Sequence, residues 1–253
     1  MFKSAIVCRP GRAIINGVTT ASIGKPVYSL ALEQHTKYIE TLESLGLSVQ
    51  VLPENELQPD STFIEDTALC TSQCAVITRP SLSSRRGEIK GMREVLNGYF
   101  QSIEEISGPA TLEAGDVMMV GNHFYIGISN RTNLQGADQL MNILKKYKLT
   151  ASKVYLKKML HLKSGVSYLE NNNLLVCGEF IKTKDFEKYN RIIIDEEESY
   201  AANSLWINGV IIVPEGFPKT RKKIEKAGYE TIALNVSEFR KLDGGLSCLS
   251  LRF

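Results

Sequence analysis

The sequence repeats one structural pattern along its length, and this repeat constrains the fold more than any other feature. In each unit two short apolar segments flank a turn, and a helical pattern and one further apolar segment follow. Four units are continuous in the chain, and their paired segments are TALCTSQCAVITRP, DVMMVGNHFYIGIS, GVSYLENNNLLVCGEF and SLWINGVIIVPEG. The sequence therefore predicts an α/β fold built from ββαβ repeats.

The remaining elements of these units follow from the same patterns. Helices are predicted over about Ser84–Asn97, near Asp185, and through the segments GADQLMNILKKY and PKTRKKIEKAG, the last of which Gly228 closes. The third strands of the four units are predicted in SIEEIS, KVYLKK, RIIID and YETIAL. The Asn-Gly pair of the fourth unit favours a tight hairpin turn.

The two ends of the chain supply the parts of a fifth unit. The N-terminal part contains the strand KSAIVC, a helix over about Tyr28–Leu45 and the strand LSVQVLP, and the C-terminal part is GGLSCLSLRF. Joined, these pieces close the repeats into a ring. We therefore expect one domain over residues 1–253, with Cys248 in a strand that is pinned to the N-terminal strand.

Composition and charge narrow the classes of partner. The chain has 253 residues, 43% of them hydrophobic, and a net charge of +2 with acids and bases interspersed, which does not favour nucleic acid or an anionic membrane. No apolar run is long enough for a signal peptide or a membrane span. We expect a small-molecule substrate and a cytoplasmic location. The oligomeric state stays open, with a homodimer among the alternatives.

The five cysteines do not form the framework of a disulfide-rich protein, and their odd number is typical of a reducing compartment. Cys70 and Cys74 form a CxxxC pair, but no second cysteine pair or close histidine pair completes a zinc site. We therefore expect no metal. Cys8, Cys70, Cys74 and Cys177 are interpreted as small apolar side chains packed within strands.

Chemically capable side chains recur at the same place in each unit, just before or within its first strand. They are Glu65 and Asp66, then Glu113, His161, Asn203 and Cys248. Their spacing is about 42 to 48 residues, one repeat length. In a radial array equivalent positions converge, so the sequence predicts that carboxylates, an imidazole and a thiol face one central channel.

A thiol with a nearby imidazole is the pairing that covalent catalysis uses, because the thiolate is the nucleophile and the imidazole moves protons near neutral pH. Glu113 is a candidate to orient His161 and to stabilise its charged form. These three residue types indicate a nucleophilic enzyme with Cys248 as its nucleophile.

The additional carboxylates indicate a cationic substrate. At an ester or peptide they would repel the developing oxyanion, whereas a guanidinium offers several donors that carboxylates match. Glu65 and Asp66 therefore favour a guanidinium held for attack. Arg85 and Arg131 follow the first two hairpins at corresponding places and are candidates to bind a substrate carboxylate.

The sequence resembles the bacterial dimethylarginine dimethylaminohydrolases of the guanidine-modifying, or pentein, superfamily. The likeness runs from MFK to SCLSLRF and includes FIED, SRRGE, EAGD, MMVG, LHLK, EEESYAAN and DGG. The resemblance implies a five-bladed α/β propeller whose fifth blade both termini complete, which agrees with the repeat.

The resemblance also implies a role for each candidate residue. The implied catalytic residues are Cys248 as nucleophile, His161 as general acid and base, and Glu113 as its acidic partner. The implied substrate contacts are Glu65 and Asp66 to the guanidinium, Arg85 and Arg131 to the carboxylate, and Asp60 with the backbone carbonyls of Val18 and Leu242 to the amino group. Val18 and Leu242 stand where the family often has Leu and Ile, a change that backbone contacts tolerate.

The activity implied is hydrolysis of Nω-methylated arginines to citrulline and an alkylamine through a covalent intermediate, with no metal and no organic cofactor. Two alternatives remain at this point. One is a deiminase of free arginine or agmatine, although agmatine lacks the carboxylate that two arginines would bind. The other is a noncatalytic arginine-binding module, which would not need both a thiol and an imidazole.

Overall fold

The computed structural model describes the whole chain, Met1–Phe253, and contains fifteen strands and five α-helices. The strands, in chain order, are β1 Ser4–Cys8, β2 Ser48–Leu52, β3 Ala68–Cys70, β4 Ala75–Ile77, β5 Ile103–Glu105, β6 Val117–Val120, β7 His123–Ile128, β8 Thr150–Tyr155, β9 Val166–Tyr168, β10 Asn173–Val176, β11 Asn190–Ile193, β12 Leu205–Ile207, β13 Val210–Pro214, β14 Glu230–Leu234 and β15 Leu251–Arg252. The helices are α1 Tyr28–Ser44, α2 Met92–Asn97, α3 Leu134–Lys146, α4 Pro218–Lys226 and α5 Ser237–Arg240.

The strands form five three-stranded sheets of one topology. Their strand orders are β15-β1-β2, β3-β4-β5, β6-β7-β8, β11-β10-β9 and β12-β13-β14. In each sheet the central strand pairs antiparallel with one neighbour and parallel with the other. A parallel partner requires a crossover connection, which the helical segment of each repeat provides. The predicted ββαβ repeat is confirmed.

Burial differs between the strands in the same way from sheet to sheet. The central strands β4 and β10 are almost wholly buried, whereas the parallel partners β2, β5, β11 and β14 carry exposed or half-exposed residues. The antiparallel hairpin thus supplies most of the apolar contact. The third strand forms the more exposed edge of its sheet.

The chain divides into two compact units. The first contains Met1–Ile64 and Ile194–Phe253, and the second contains Glu65–Ile193. In the core of the first unit, Tyr38 and Leu42 of α1 belong to one apolar cluster with Ile212 and Phe239. The second unit has separate apolar clusters, one of which includes α3 and β7.

Both chain ends are fixed within the first unit. Strand β15 pairs antiparallel with β1, and the carbonyl of Phe253 accepts hydrogen bonds from the amides of Lys3 and Ser4, both at 2.9 Å. The amide of Phe253 donates to the carbonyl of Ser4 at 3.1 Å. The predicted pairing of the two termini is confirmed.

The position of Cys248 differs from the prediction. We expected it in the last strand, but it lies in the 3-10 turn Ser247–Leu249, immediately before β15. The backbone becomes extended only at Ser250, where φ is −153° and ψ is 150°. The sulfur is therefore carried by a turn, and the strand that follows anchors this turn.

Several helical segments also differ from the sequence patterns. The helix predicted over Ser84–Asn97 is a 3-10 segment, Ser83–Ile89, followed by α2, because Gly91 has a φ of 78° that interrupts the helix. The crossover of the third repeat consists of two 3-10 segments, Gly178–Lys182 and Lys184–Phe186. None of the helices combines the length and the apolar character that crossing a membrane requires.

Removing the last strand tests its structural role. Deleting Leu251–Phe253 removes three main-chain hydrogen bonds to Lys3 and Ser4 and the buried side chain of Leu251. At about 1 kcal/mol per hydrogen bond and roughly 2 kcal/mol for the leucine, we expect a loss of about 3 to 5 kcal/mol. For a chain of this size this lowers the melting temperature by roughly 10 °C or more.

The matched control is Phe253→Ala, which keeps the main-chain bonds of the last residue. Calorimetric melting of the two variants and the parent chain is the measurement. Equal melting temperatures for the truncated and parent chains would show that β15 does not hold the N-terminal strand.

Candidate active site

The candidate residues at equivalent repeat positions all lie in or next to 3-10 turns. A 3-10 turn precedes the first strand of each sheet, and the candidates lie in or next to these turns. The turns are Ile64–Thr67, Ala114–Asp116, Leu162–Ser164, Glu196–Ala202 and Ser247–Leu249. A short turn at the entrance to a buried strand holds its side chains in fixed directions, which suits a site that requires accurate placement.

In the second unit His161 is hydrogen-bonded to Glu113. His161 Nε2 lies 2.9 Å from Glu113 Oε2, and both side chains are buried. The other carboxylate oxygen, Oε1, accepts from the amide of Ser81 at 3.0 Å and from its hydroxyl at 3.2 Å. The carboxylate therefore fixes the imidazole ring and leaves Nδ1 as the nitrogen that can exchange a proton with another molecule.

The surroundings of His161 favour its charged form. Burial alone would lower the pKa of the imidazole, but the carboxylates of Asp66, Asp116 and Glu113 outweigh it and raise the pKa to about 9. Nearby opposite charges have this effect because they stabilise the imidazolium. At neutral pH the resting protein thus holds His161 as an acid that can donate a proton.

Asp66 is held as a carboxylate beside this histidine. Its Oδ1 accepts from the amide of Gly115 at 3.0 Å, and its Oδ2 accepts from Arg85 at 2.9 Å. Burial would raise the pKa of Asp66, but the charges of His161 and Arg85 and these hydrogen bonds lower it to about 2. A Cβ atom on Gly115 would lie 3.0 Å from both Asp66 Oδ1 and the His161 ring, so glycine allows the two side chains to approach.

Arg85 is buried and bonds three protein carboxyl oxygens. Its Nε atom donates to Glu88 Oε1 and its NH2 atom donates to Glu88 Oε2, both at 2.9 Å. Its NH1 atom donates to Asp66 Oδ2. Burial would lower the pKa of Arg85, but Asp66, Glu88 and Glu113 raise it above its usual value. An arginine has five N–H donors, so two remain for other acceptors.

Arg131 lies on the other side of Glu113. Its NH1 atom is 3.8 Å from Glu113 Oε1, is buried, and has no hydrogen-bond acceptor in the protein. Buried donors are nearly always satisfied in folded proteins, and those that are not often mark a functional site. This orphan donor is suited to an oxygen atom of a bound molecule.

Glu65, the neighbour of Asp66, is paired with a lysine that the sequence analysis did not single out. Lys163 Nζ lies 2.6 Å from Glu65 Oε1, and both side chains are largely buried. Lys163 follows His161 by two residues in the motif LHLK, and Glu88 follows Arg85 by three in SRRGE. These short spacings were the available signals for both missed residues.

Asp60, Val18 and Leu242 come together in the first unit. The amide of Val18 donates to both carboxylate oxygens of Asp60, at 3.0 and 3.2 Å. Gly17 lies close to both Asp60 and Leu242, because a Cβ atom on Gly17 would be 2.8 Å from Asp60 Oδ1 and from Leu242 Cδ1. A larger residue at this position would clash with both side chains. The structure thus groups the three residues that were predicted to bind an amino group.

Cys248 is the one cysteine that is not buried. The other four thiols, those of Cys8, Cys70, Cys74 and Cys177, are buried as predicted, and none of the five cysteines forms a disulfide. Cys74 and Cys177 lie one residue outside the strands in which they were predicted. The Sγ atom of Cys248 accepts a hydrogen bond from the amide of Gly245 at 3.4 Å. Its partial exposure leaves this thiol accessible to a reactant, in contrast to the others.

Asp66, Glu113 and His161 also have the ligand types of a metal site, with donor atoms that all lie within 4.8 Å of one another. These atoms are already engaged, because Asp66 Oδ2 bonds Arg85 and Glu113 Oε2 bonds His161. The buried guanidinium of Arg85 also repels a dication. The arrangement fits proton transfer better than metal binding.

Comparison with known proteins identifies the family. The family model described as N,N dimethylarginine dimethylhydrolase, eukaryotic, matches residues 19–249. The N(G),N(G)-dimethylarginine dimethylaminohydrolase of Pseudomonas aeruginosa is 51% identical, and the match covers 100% of both chains. The protein of the same name from Streptomyces coelicolor is 34% identical over 99% of this chain and 96% of that relative.

Solved structures agree with these sequence matches. The crystal structure of a histidine-to-glycine variant of dimethylarginine dimethylaminohydrolase, an adduct with S-methyl-L-thiocitrulline, has a TM-score of 0.99 and 51% identity, with 100% of both chains covered. A cysteine-to-serine variant of the Pseudomonas aeruginosa enzyme complexed with citrulline has the same TM-score, identity and coverage.

The fold and the buried histidine–carboxylate pair define a hydrolase of the guanidine-modifying, or pentein, superfamily. Within that class, the chain belongs to the dimethylarginine dimethylaminohydrolase family. The resemblance read from its motifs is confirmed.

The charge state of His161 predicts a pH dependence of stability. Its pKa is raised in the folded protein from 6.5 to about 9, so the stabilisation is fully present below pH 6.5 and is lost as the pH rises through 9. The shift corresponds to about 3 kcal/mol. Denaturant unfolding of the parent chain and of His161→Gln between pH 6 and 10 should show a stability difference that shrinks across this range.

His123→Gln is the matched control, because burial and Lys188 lower the pKa of His123 rather than raise it. This variant should keep the parent's loss of stability with rising pH. If His161→Gln kept the same slope as the parent, the imidazolium would not be the source of the effect.

Proposed function

We propose that the chain hydrolyses Nω,Nω-dimethylarginine and Nω-monomethylarginine to citrulline and dimethylamine or methylamine. The observation that carries this proposal is the buried, charged His161 held by Glu113 beside the carboxylate of Asp66. Such a group supplies a proton to a leaving amine, while the carboxylate favours a cationic substrate. Citrulline and thiocitrulline ligands in relatives of the family support the same chemistry.

In the first step the Cys248 thiolate attacks the guanidinium carbon of the substrate. A carbon–sulfur bond forms, the bond from that carbon to the alkylated nitrogen breaks, and the departing amine takes the proton of the His161 imidazolium. The product of this step is an S-alkylthiouronium attached to Cys248. Because His161 is protonated at neutral pH, the acid needed for this step is already present.

In the second step His161, now neutral, takes a proton from water. The resulting hydroxide adds to the same carbon, the carbon–sulfur bond breaks, and citrulline leaves as the thiolate returns. The proton of the added hydroxyl passes to solvent, where the released amine takes up a proton. Glu113 stabilises the imidazolium that forms again and keeps its ring oriented. This scheme uses only side chains of the protein and water.

The substrate's charged groups match particular residues. We assign the guanidinium to Asp66 and Glu65, since a pKa of about 2 keeps Asp66 ionised. The carboxylate is assigned to the orphan NH1 donor of Arg131 and to the remaining donors of Arg85.

The substrate's amino group is assigned to the cluster around Gly17. Asp60 supplies a carboxylate, and Val18 and Leu242 supply their backbone carbonyls, which an ammonium group can reach regardless of the side chain. The close contacts at Gly17 support this grouping.

We also propose that the five sheets are the blades of one α/β propeller that forms a single catalytic domain over residues 1–253. Five sheets of the same topology and a sheet that joins both termini support this arrangement. A cytoplasmic location is consistent with five cysteines that form no disulfide. Assembly as a homodimer remains a prediction.

The alternative substrates are free arginine and agmatine. The buried NH1 atom of Arg131 favours a substrate with a carboxylate and so disfavours agmatine. The charged acid and the accessible thiol disfavour a noncatalytic binding module. A parallel assay of citrulline and released amine with dimethylarginine, monomethylarginine, arginine and agmatine tests the proposal, which fails if neither methylated substrate is turned over.

Replacing the nucleophile or the acid should abolish turnover without unfolding the chain. We expect Cys248→Ser and His161→Gly each to lower kcat by at least about a thousandfold, with circular dichroism unchanged. Cys8→Ser is the matched control, because Cys8 Sγ bonds the carbonyl of Pro53 at 3.4 Å and a serine hydroxyl can do the same. Near-parent activity of either test variant would remove that residue from the mechanism.

Replacing Arg131 should weaken binding of substrates that carry a carboxylate. Loss of one member of a buried charge pair costs roughly 2 to 5 kcal/mol, so we expect Arg131→Ala to raise the dissociation constant of dimethylarginine strongly. Arg79→Ala is the control, since Arg79 bonds the carbonyl of Ala110 instead. Each arginine variant is made in the Cys248→Ser background, and calorimetric titration with dimethylarginine measures its dissociation constant. An unchanged dissociation constant for Arg131→Ala would show that Arg131 does not bind the substrate.

A further inference from the structure

The proposed reaction leaves Asn203 without a role, although it occupies the repeat position that holds Glu113, His161 and Cys248 in other units. Asn203 is buried and lies at the end of the 3-10 segment Glu196–Ala202. A buried carboxamide requires hydrogen-bond partners. The partners of the Asn203 carboxamide indicate its structural role.

Both ends of the Asn203 carboxamide bond Ser247, the residue before Cys248. The amide of Ser247 donates to Asn203 Oδ1 at 2.9 Å, and Asn203 Nδ2 donates to the hydroxyl of Ser247 at 2.9 Å. Two bonds to one residue restrict both its position and its rotation. The backbone that leads into Cys248 is therefore fixed by a side chain from a distant part of the chain.

The same carboxamide packs against the glycine whose amide contacts the sulfur. A Cβ atom on Gly245 would lie 2.5 Å from Asn203 Oδ1, so only glycine allows this approach. The amide of Gly245 in turn donates to Cys248 Sγ at 3.4 Å. A shift of Asn203 would thus disturb both the residue before the thiol and a donor to its sulfur.

Other side chains of the first unit bond main-chain atoms that precede the 3-10 turn Ser247–Leu249. Tyr200 Oη donates to the carbonyl of Gly244 at 2.7 Å, and Tyr38 Oη donates to the carbonyl of Leu246 at 3.0 Å. These contacts hold the backbone that leads into the turn. Asn203 alone, among these three side chains, bonds the residue adjacent to Cys248.

We propose that Asn203 is a positioning residue for the nucleophile, because its carboxamide holds the segment Gly245–Cys248 in the conformation that presents the thiolate for attack. This inference rests on the proposed role of Cys248. A displacement of about 1 Å at a reacting atom can lower a rate by about a hundredfold. The effect should fall on the chemical step and leave the contacts to substrate unchanged.

The test compares Asn203→Ala with the parent chain in steady-state and single-turnover kinetics. We expect kcat to fall about 10- to 100-fold while KM stays within about twofold. The rate at which the covalent adduct accumulates on Cys248, followed by acid quench and mass spectrometry with dimethylarginine, should fall by the same factor. A residue needed only for stability would not change this rate.

Two further variants separate positioning from folding. Asn203→Asp keeps an oxygen for the Ser247 amide and offers a second oxygen to its hydroxyl, so it should recover much of the lost rate. Asn208→Ala is the matched control, because the Asn208 carboxamide makes three bonds to the backbones of Phe2 and Leu45. It should lower the melting temperature and leave kcat unchanged.

The outcomes distinguish this inference from the proposed function. Parent-like adduct formation in Asn203→Ala, with Cys248→Ser inactive, overturns the positioning role and leaves the nucleophile in place. Activity in Cys248→Ser overturns the proposed function itself. If Asn203→Ala does not fold, Ser247→Ala replaces it, since it removes only the side-chain bond. A normal adduct rate in Ser247→Ala counts against the inference, as does an adduct rate in Asn203→Asp that stays about 10-fold or more below that of the parent chain.

Discussion

The pairing of the last strand with the first is the interaction on which the proposed nucleophile depends. Main-chain bonds between Phe253 and the amides of Lys3 and Ser4 make the C terminus part of a sheet. A free terminus would fray, and a thiol five residues from it would have no fixed direction. Because β15 is anchored, the turn that precedes it has a fixed position, and Cys248 in this turn has a fixed direction.

A second constraint is the balance of charge in the second unit. Burying a lone charge is expensive, so the following buried ions are paired with opposite charges. Glu113 holds His161, Arg85 bonds Asp66 and Glu88, and Lys163 pairs with Glu65. Because these pairs are linked, His161 keeps a proton at neutral pH while Asp66 stays ionised, which places a proton donor beside a carboxylate.

The repeated architecture explains why a few positions carry so much of the chemistry. Each sheet is entered through a 3-10 turn, so the same position is available in every repeat. The chemical role of this position differs from one repeat to the next. Carboxylates occupy one turn, the imidazole immediately precedes another, and the thiol lies in a third, while the carboxamide of Asn203 bonds the residue before the thiol.

The sequence by itself determined the number and order of the repeats, the pairing of the termini and the candidate residues, because strand and helix periodicity and the repeat length are local properties of the chain. The tertiary structure decided that Cys248 lies in a turn, which carboxylates bond Arg85, and which way Asn203 faces. Those outcomes depend on side chains that are distant in sequence, such as Asn203 and Ser247, meeting within hydrogen-bond distance. No local pattern encodes such a meeting, since it requires the backbone of the whole unit to be in place.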